Sequence, residues 1–298
     1  MRRLWPLFVV VFGSGWGCNS SNDDPAAYVT GLRILGIKAE PPEVPPGSQS
    51  TLTALIVDTD GNPFHITWEQ CLDPALSGQS VNRACVGDAG TDLVAPIGDG
   101  VSVVTTMPTV TPANLGRVDA TGGFYLPIVA NITGPSDAIT AVYLLRLGLG
   151  LPPNRNPTLT DLLLVTGGGP DGGVESDTPL VDGTPLVVHA GEAIVLRPIF
   201  SADSVESYPI YDGDPRTTTP RPAKETLSVA WFATAGTLLP ATSSGVDAPV
   251  ADEVFHLDQQ RNGPTIHVPP VGTVIDLWVV ARDERGGTDW LHRTLQLE

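Results

Sequence analysis

Asp58-Thr59-Asp60-Gly61-Asn62 sets oxygen-bearing side chains at alternate positions, with a glycine where the chain must turn sharply. That is how the opening of a calcium loop presents itself, so Asp58, Asp60 and Asn62 are candidate ligands for a hard cation. Glu69 stands at the twelfth position of such a loop, but it falls in an apolar-alternating stretch that reads as a strand, with no helix on either side. The same five residues also fit a tight turn between two strands, with Asp-Gly at its tip. The expected cofactor set is therefore none, with calcium the one alternative. Tyr211-Asp212-Gly213-Asp214-Pro215 is a second acidic loop of this kind.

Other chemistry is thinner. Gly167-Gly168-Gly169-Pro170-Asp171-Gly172 satisfies G-x-G-x-x-G after an apolar strand, but a dinucleotide site needs a helix to follow directly. Val174-Glu175-Ser176-Asp177-Thr178-Pro179 follows instead, and no helix can start there. Glu69 and Asp73 are close enough in sequence to pair as carboxylates. His65, His189, His256, His267 and His292 show no spacing that puts one metal on one strand. There is no G-x-S-x-G, no H-E-x-x-H and no Walker loop. The reading is a protein that is not an enzyme.

The N-terminus carries an address. Arg2 and Arg3 precede an apolar run over residues 4–12, too short to span a bilayer. Gly13, Ser14, Gly15 and Gly17 then lead to Cys18. This resembles the signal of a bacterial lipoprotein, in which the cysteine thiol is diacylated and becomes the new N-terminus; an ordinary secretory signal is the alternative. The resemblance implies a signal over residues 1–17, lipidation (palmitate-type) at Cys18, and a membrane partner reached through the anchor. Asn19, directly after the cysteine, favours the outer membrane over inner-membrane retention. Residues 18–27 are small, polar and acidic, and read as a flexible tether. With Cys18 acylated, Cys71 and Cys85 remain as a disulfide pair in an oxidising compartment. A metal site at those two cysteines is disfavoured, since no histidine lies near at ligand spacing.

Composition narrows the class further. The 298 residues allow about two domains. Charged residues are only 16%, while Gly (32) and Pro (29) are abundant, which means many turns and few helices. The formal net charge is −17, and two units more negative without Arg2 and Arg3. Such a chain does not bind nucleic acid or anionic headgroups through charge.

Apolar residues alternate in short runs bounded by Gly, Pro, Asp and Asn, which is the grammar of strands. The grammar occurs twice. Residues 32–37 and 51–57 are strands on either side of Pro41, Pro42, Pro45 and Pro46; residues 159–165 and 193–200 flank a Gly- and Asp-rich loop. Ile66-Thr67-Trp68-Glu69 is then matched by Val229-Ala230-Trp231-Phe232, placing one tryptophan in the third strand of each half. Two closing hairpins follow: residues 123–132 with 138–147, and residues 273–282 with 288–297. A single further strand is expected over 101–106, with long loops over the rest of 72–119 and over 167–185.

This pattern resembles the tandem bacterial immunoglobulin-like or PKD-like domains of secreted lipoproteins. It implies an all-β fold of two tandem immunoglobulin-like β-sandwiches, over residues 28–153 and 154–298. Trp68 and Trp231 are expected in their cores, and the seam at residues 151–157 is expected to act as a stiff linker holding a rod-like tandem. The functional expectation is a lipid-anchored surface or periplasmic module for structure, adhesion or protein binding. A carbohydrate-binding module is the alternative, and it needs Trp278, Trp290 and Tyr125 to form an exposed aromatic platform.

Overall fold

The computed structural model describes residues 27–72, 85–86, 93–109, 120–121, 123–148, 152–167, 175–212, 218–238, 242–246, 252–257, 260–262, 265–267 and 269–298. Cys18, Asp73, Asp214 and most of the 167–172 glycine loop lie outside them. No α-helix occurs among the described residues.

In chain order the first group of strands is β1 (Leu32–Glu40), β2 (Glu43–Val44), β3 (Gln49–Asp58), β4 (His65–Cys71), β5 (Val94–Asp99), β6 (Ser102–Thr106), β7 (Phe124–Thr133) and β8 (Ala138–Leu147). They form two facing sheets, β1-β3-β6 and β2-β8-β7-β4-β5. The second group opens with β9 (Leu159–Thr166), β10 (Ser176–Pro179), β11 (Leu186–Val188) and β12 (Ala193–Phe200). After the hairpin β13 (Ser207–Ile210) and β14 (Arg221–Lys224) come β15 (Thr226–Ala233), β16 (Thr237–Leu238), β17 (Thr242–Val246) and β18 (Glu253–His256). A small hairpin, β19 (Gln260–Asn262) and β20 (Thr265–His267), precedes β21 (Val274–Arg282) and β22 (Thr288–Leu297). Here the two large sheets are β10-β9-β12-β18-β16 and β11-β22-β21-β15-β17.

The two groups share one wiring. The opening strand (β1, β9) pairs with the strand two further on in the common core (β3, β12), and then the chain alternates between sheets. A short segment after the opening strand crosses to the other sheet and pairs in parallel with the last strand: β2 with β8, β11 with β22. This is the strand order of immunoglobulin-like sandwiches. The prolines after β1 sit at that crossing, where a residue lacking an N–H costs the ladder nothing.

Each sandwich closes around its expected indole. Trp68 and Trp231 are 1% and 0% exposed. Trp68 packs with Ile66, Leu52, Ile128 and Leu145; Trp231 packs with Val229, Leu196, Phe255 and Val279. Both indole N–H groups are satisfied, Trp68 donating to Gly100 O at 2.8 Å and Trp231 to Ser243 Oγ at 3.2 Å. A buried indole whose one polar atom is paired fills space at no polar cost. At the end of β4, Cys71 is disulfide-bonded to Cys85, closing a loop of 14 residues' separation. A loop of that size is worth about 3 kcal/mol in the chain-entropy treatment.

Two expectations about the joint are overturned. The chain is not a rod of end-to-end sandwiches. The outer face of β1-β3-β6 lies against the outer face of β11-β22-β21-β15-β17, with Val29, Leu35, Trp278 and Val280 buried between them and Leu55, Val57, Phe232 and Trp290 packed around. Nor does a loose tether extend through Ala27. Ala27 is 4% exposed within the second core, and Ala27 and Val29 hydrogen-bond Ala233 through their backbones before the chain enters β1. Apolar residues on the two outer faces are buried against each other at the joint, which favours the side-by-side placement.

Truncating either indole leaves a cavity that rigid sheets cannot close. Trp68→Ala and Trp231→Ala are each expected to lower unfolding stability by about 3–5 kcal/mol, read from denaturant midpoints with unchanged slope. A loss under 1 kcal/mol at both positions would contradict the two-core reading.

Candidate functional site

The calcium-loop candidates form a turn. Asp58 ends β3, and its Oδ1 accepts the Asp60 N–H at 2.9 Å while its carbonyl accepts the Gly61 N–H at 3.1 Å. Asp58, Asp60 and Asn62 are thus brought together only as a side-chain-capped turn. Among the described residues no group of three or more His, Cys, Asp or Glu is arranged to hold a metal. Glu69 accepts from Asn131 Nδ2 at 3.2 Å, and Asp212 pairs with Arg221 at 3.1 Å. His292 meets Asp276 at 2.8 Å and stacks on Trp278.

The proposed aromatic platform does not form. Trp278 is 7% exposed beneath the first sandwich, Trp290 packs at the edge of the same contact, and Tyr125 lies under the Arg146 guanidinium with its hydroxyl accepting from Arg146 Nη1 at 3.0 Å. The apolar seam between sandwiches uses the faces that a sugar would have needed.

What the molecule does concentrate is buried charge: among the described residues Glu43, Arg146, Glu225, Asp283 and Arg285 are buried along that seam, while Arg293 is buried inside the second sandwich against the Leu180 carbonyl. In β1, Leu35 is an extra residue opposite β3, so that Leu35 and Gly36 both face outward. The bulge frees the Leu35 carbonyl from the ladder, and Arg282 Nη2 donates to it at 2.8 Å. Gly36 lies close to the second sandwich, and a Cβ there would press on Val280 Cγ1 at 3.3 Å. Beside it, Tyr143 of β8 donates its hydroxyl to Gly286 O at 2.7 Å, and Lys38 pairs with Asp289 at 3.1 Å.

The segment between the sandwiches is drawn into this network. The Asn154 N–H donates to Glu43 Oε2, which also accepts from Arg146 Nε at 2.8 Å. Asn154 Nδ2 donates to Asp283 Oδ2 at 3.0 Å, so one asparagine bridges a buried ion pair of the first sandwich and a buried carboxylate of the second. Asn156 Nδ2 donates to Ala39 O, and Asn156 Oδ1 accepts the Thr288 N–H. Arg155 pairs with Glu206, which also pairs with Arg285, and Arg285 Nε donates to the fully buried Glu225 at 2.7 Å. Asp283 Oδ1 accepts the N–H groups of Arg285 and Gly287. At Gly287 a side chain is excluded, because a Cβ would fall 2.1 Å from Asp283 Oδ2 and 3.0 Å from Arg155 O.

The electrostatics of this cluster are set by desolvation. Burial raises the Glu225 carboxyl from its ordinary 4.5 to about 7, and the charge of Asp283 adds to the rise against the pull of Arg285. Burial likewise raises Asp283 above its ordinary value, opposed by the hydrogen bonds from Asn154 and the turn amides. Sequence reading did not find these residues. Asp-Glu-Arg-Gly-Gly at 283–287 reads from sequence simply as a hairpin turn. The one available signal was its double glycine, which lets the turn close over its own aspartate.

Between the two sandwiches, β1, β8 and the β21–β22 turn also enclose an open cleft of about 490 Å³, with Arg282 on its wall.

No known family profile matches this sequence, and no curated protein matches it. Among solved structures the chain is similar to the adhesin InvE of Yersinia pseudotuberculosis at 12% identity and TM-score 0.22, covering 89% of this chain and 58% of that one. It is similar to dimeric latent PorU from Porphyromonas gingivalis at 10% identity and TM-score 0.22, over 90% and 24% of the two chains. Cadherin-like domains 1 to 4 of zebrafish RET give 11% identity and TM-score 0.15, over 79% and 42%. The chain thus spans between about a quarter and three fifths of these proteins' lengths.

The buried carboxylates make stability depend on pH. Glu225 keeps its proton in the folded chain at pH values where the unfolded chain has released it, so the folded state binds more protons between about pH 4.5 and 7. Stability therefore falls as pH rises through that window, by at most about 3 kcal/mol from this residue. Asp283 acts in the same direction. Comparing Glu225→Gln with the unmodified chain separates this from the general relief of acidic repulsion. Denaturant melts at pH 5 and pH 8 should show a smaller drop for Glu225→Gln, and equal drops would refute the assignment.

Proposed function

We propose that this chain is a non-catalytic adhesive or protein-binding module, held by a lipid on Cys18 at a bacterial outer membrane on its periplasmic or surface side. The observation that supports it most is the seam. Two sandwiches are clamped face to face by a shared apolar layer and by hydrogen-bonded buried charges. A clamp of this kind gives a body of fixed shape for presenting loops and strand edges to a partner, and function on sandwiches resides in such places. The His292–Asp276 pair faces a stacked indole rather than a nucleophile, which fits a role without catalysis. The Asp58 turn is read as structural, and no cofactor is assigned.

The tether fits the same reading. Among the described residues, backbone contacts start with Ala27, nine residues after Cys18. A fully extended chain of that length reaches about 30 Å, so a lipid at Cys18 would hold the body close to the membrane surface.

Cys18→Ser tests the anchor. In a bacterial host fed an alkyne fatty acid, the unmodified chain should take the label and sediment with membranes. Cys18→Ser should lose the label and appear in the soluble fraction. Equal labelling of the two would remove the anchor. Cells displaying the chain, assayed for adherence to host or bacterial surfaces against non-displaying cells, then test the adhesive role itself.

A further inference from the structure

The cleft between the sandwiches has the walls of a peptide site. Four consecutive residues of β1 (34–37) and four of β8 (141–144) line it. Successive side chains of a strand point to opposite faces, so four in a row can line one space only where the strand shows its edge. Among the described residues neither edge has a strand neighbour there, although the Leu35 carbonyl of β1 is taken by Arg282. β1 pairs with β3 alone, and β2 covers β8 only at Arg146 and Leu147, leaving residues 138–145 without a strand neighbour on that side among the described residues. An open edge presents N–H and C=O groups in register for an added strand. Four residues of edge measure about 13 Å.

One charge on the wall is not accounted for by the fold. Lys38, Arg146, Arg155, Arg197, Arg221, Arg285 and Arg293 each pair with a carboxylate. Among the described residues the Arg282 guanidinium has the Leu35 carbonyl, through one of its nitrogens, and no carboxylate in hydrogen-bond contact. It is partly desolvated, and burial lowers its pKa. The acids that share the cleft are engaged elsewhere, Asp283 by Asn154 and its own turn, Glu284 by the Tyr208 hydroxyl. In a chain of net charge −17, a desolvated cation without a counter-charge beside an open strand edge is complementary to a terminal carboxylate.

We propose that this cleft binds the C-terminal end of an extended peptide, its backbone adding to the β8 edge and its terminal carboxylate meeting Arg282. Apolar side chains at alternate ligand positions would rest on Ile34 and Ile37, and the outward-facing Val142 would flank the strand they belong to. This rests on the protein-binding reading above. It is tested in solution without cells or lipid, so its failure leaves the adherence assay to decide that reading.

The test is calorimetric titration of the purified full chain with acetyl-Val-Thr-Val-Ile as the free acid and as the C-terminal amide. The free acid should bind at least about tenfold more tightly than the amide, the loss expected for one charge-assisted contact. Arg282→Gln keeps an N–H for the Leu35 carbonyl and should bring the acid down to the amide's affinity. Val142→Glu, at the exposed side of β8 and outside the seam, should weaken the acid more than the amide. Unfolding midpoints of both variants within a few degrees of the unmodified chain show that the seam has held. Equal affinity for acid and amide, no binding of either at millimolar concentration, or an acid preference that survives both substitutions would overturn the proposal. Full competition by equimolar acetate would do so too, because it reduces the site to a simple anion contact.

Discussion

Strand β21 is buried on both faces at once, and most of the molecule follows from that constraint. Its inner face closes the second core through Ile275, Leu277, Val279 and Ala281, while its outer face supplies Trp278 and Val280 to the contact with the first sandwich. An antiparallel sheet in a sandwich usually shows one face to water and alternates accordingly. β21 cannot, and Leu277-Trp278-Val279-Val280-Ala281 is an unbroken buried run. Because the run commits the outer face to a partner, the first sandwich must lie alongside, and its own outer face must answer with Leu35, Leu55 and Val57.

Placing two sandwiches side by side traps polar groups that a rod would have left in water. The linker crosses the seam, so its backbone and the turn at 283–287 lose solvent and must be paired. The chain meets this with acids and guanidinium groups rather than with apolar substitution. Burying Glu43, Glu225, Asp283, Arg146 and Arg285 carries a large desolvation cost that their mutual contacts offset only if the geometry is met at every member. Such a network discriminates between arrangements, since a shifted interface leaves charges buried and unpaired. The apolar layer therefore supplies attraction, and the ionic seam makes one relative placement of the sandwiches far better than its neighbours. One atom is left out: Asn154 Oδ1 is buried without a partner among the described residues, the single imperfection in a closely paired cluster.

The core was legible in the sequence because a core obeys a period. Alternation in 51–57, 66–69, 159–165 and 193–200 located β3, β4, β9 and β12, and the repeated Trp at 68 and 231 marked both interiors. The closing hairpins were legible for the same reason. β2 and β11 were not, since two or three residues after a proline-rich or glycine-rich loop carry no period, and their place is fixed by the strand they reach. The seam was illegible for a different reason. Its residues, Asn154, Glu225, Asp283 and Arg285, are of the types that normally face water, and nothing local distinguishes a charge that will be covered by another sandwich. Trp278 and Trp290 did stand out as unexplained by core alternation. The residues were the right ones to question, but the sharing of an outer face by two sandwiches explains them better than a sugar does.

That same sharing decides which surfaces remain for a partner. Packing the two sheet faces together removes one broad face of each sandwich, and at the seam leaves strand edges and loops. Edges recognise backbone, which is common to all peptides, so an edge alone binds without selectivity. Selectivity needs a charge or pocket fixed at a set distance from the edge. In a jointed tandem that distance would fluctuate, because Arg282 belongs to the second sandwich and β8 to the first. The ionic seam runs through Glu43, Asn154 and Asp283 directly beside them and fixes the spacing. The buried charges thereby connect the two levels of the structure: the network that selects one packing of the sandwiches is also what would make a composite site between them specific.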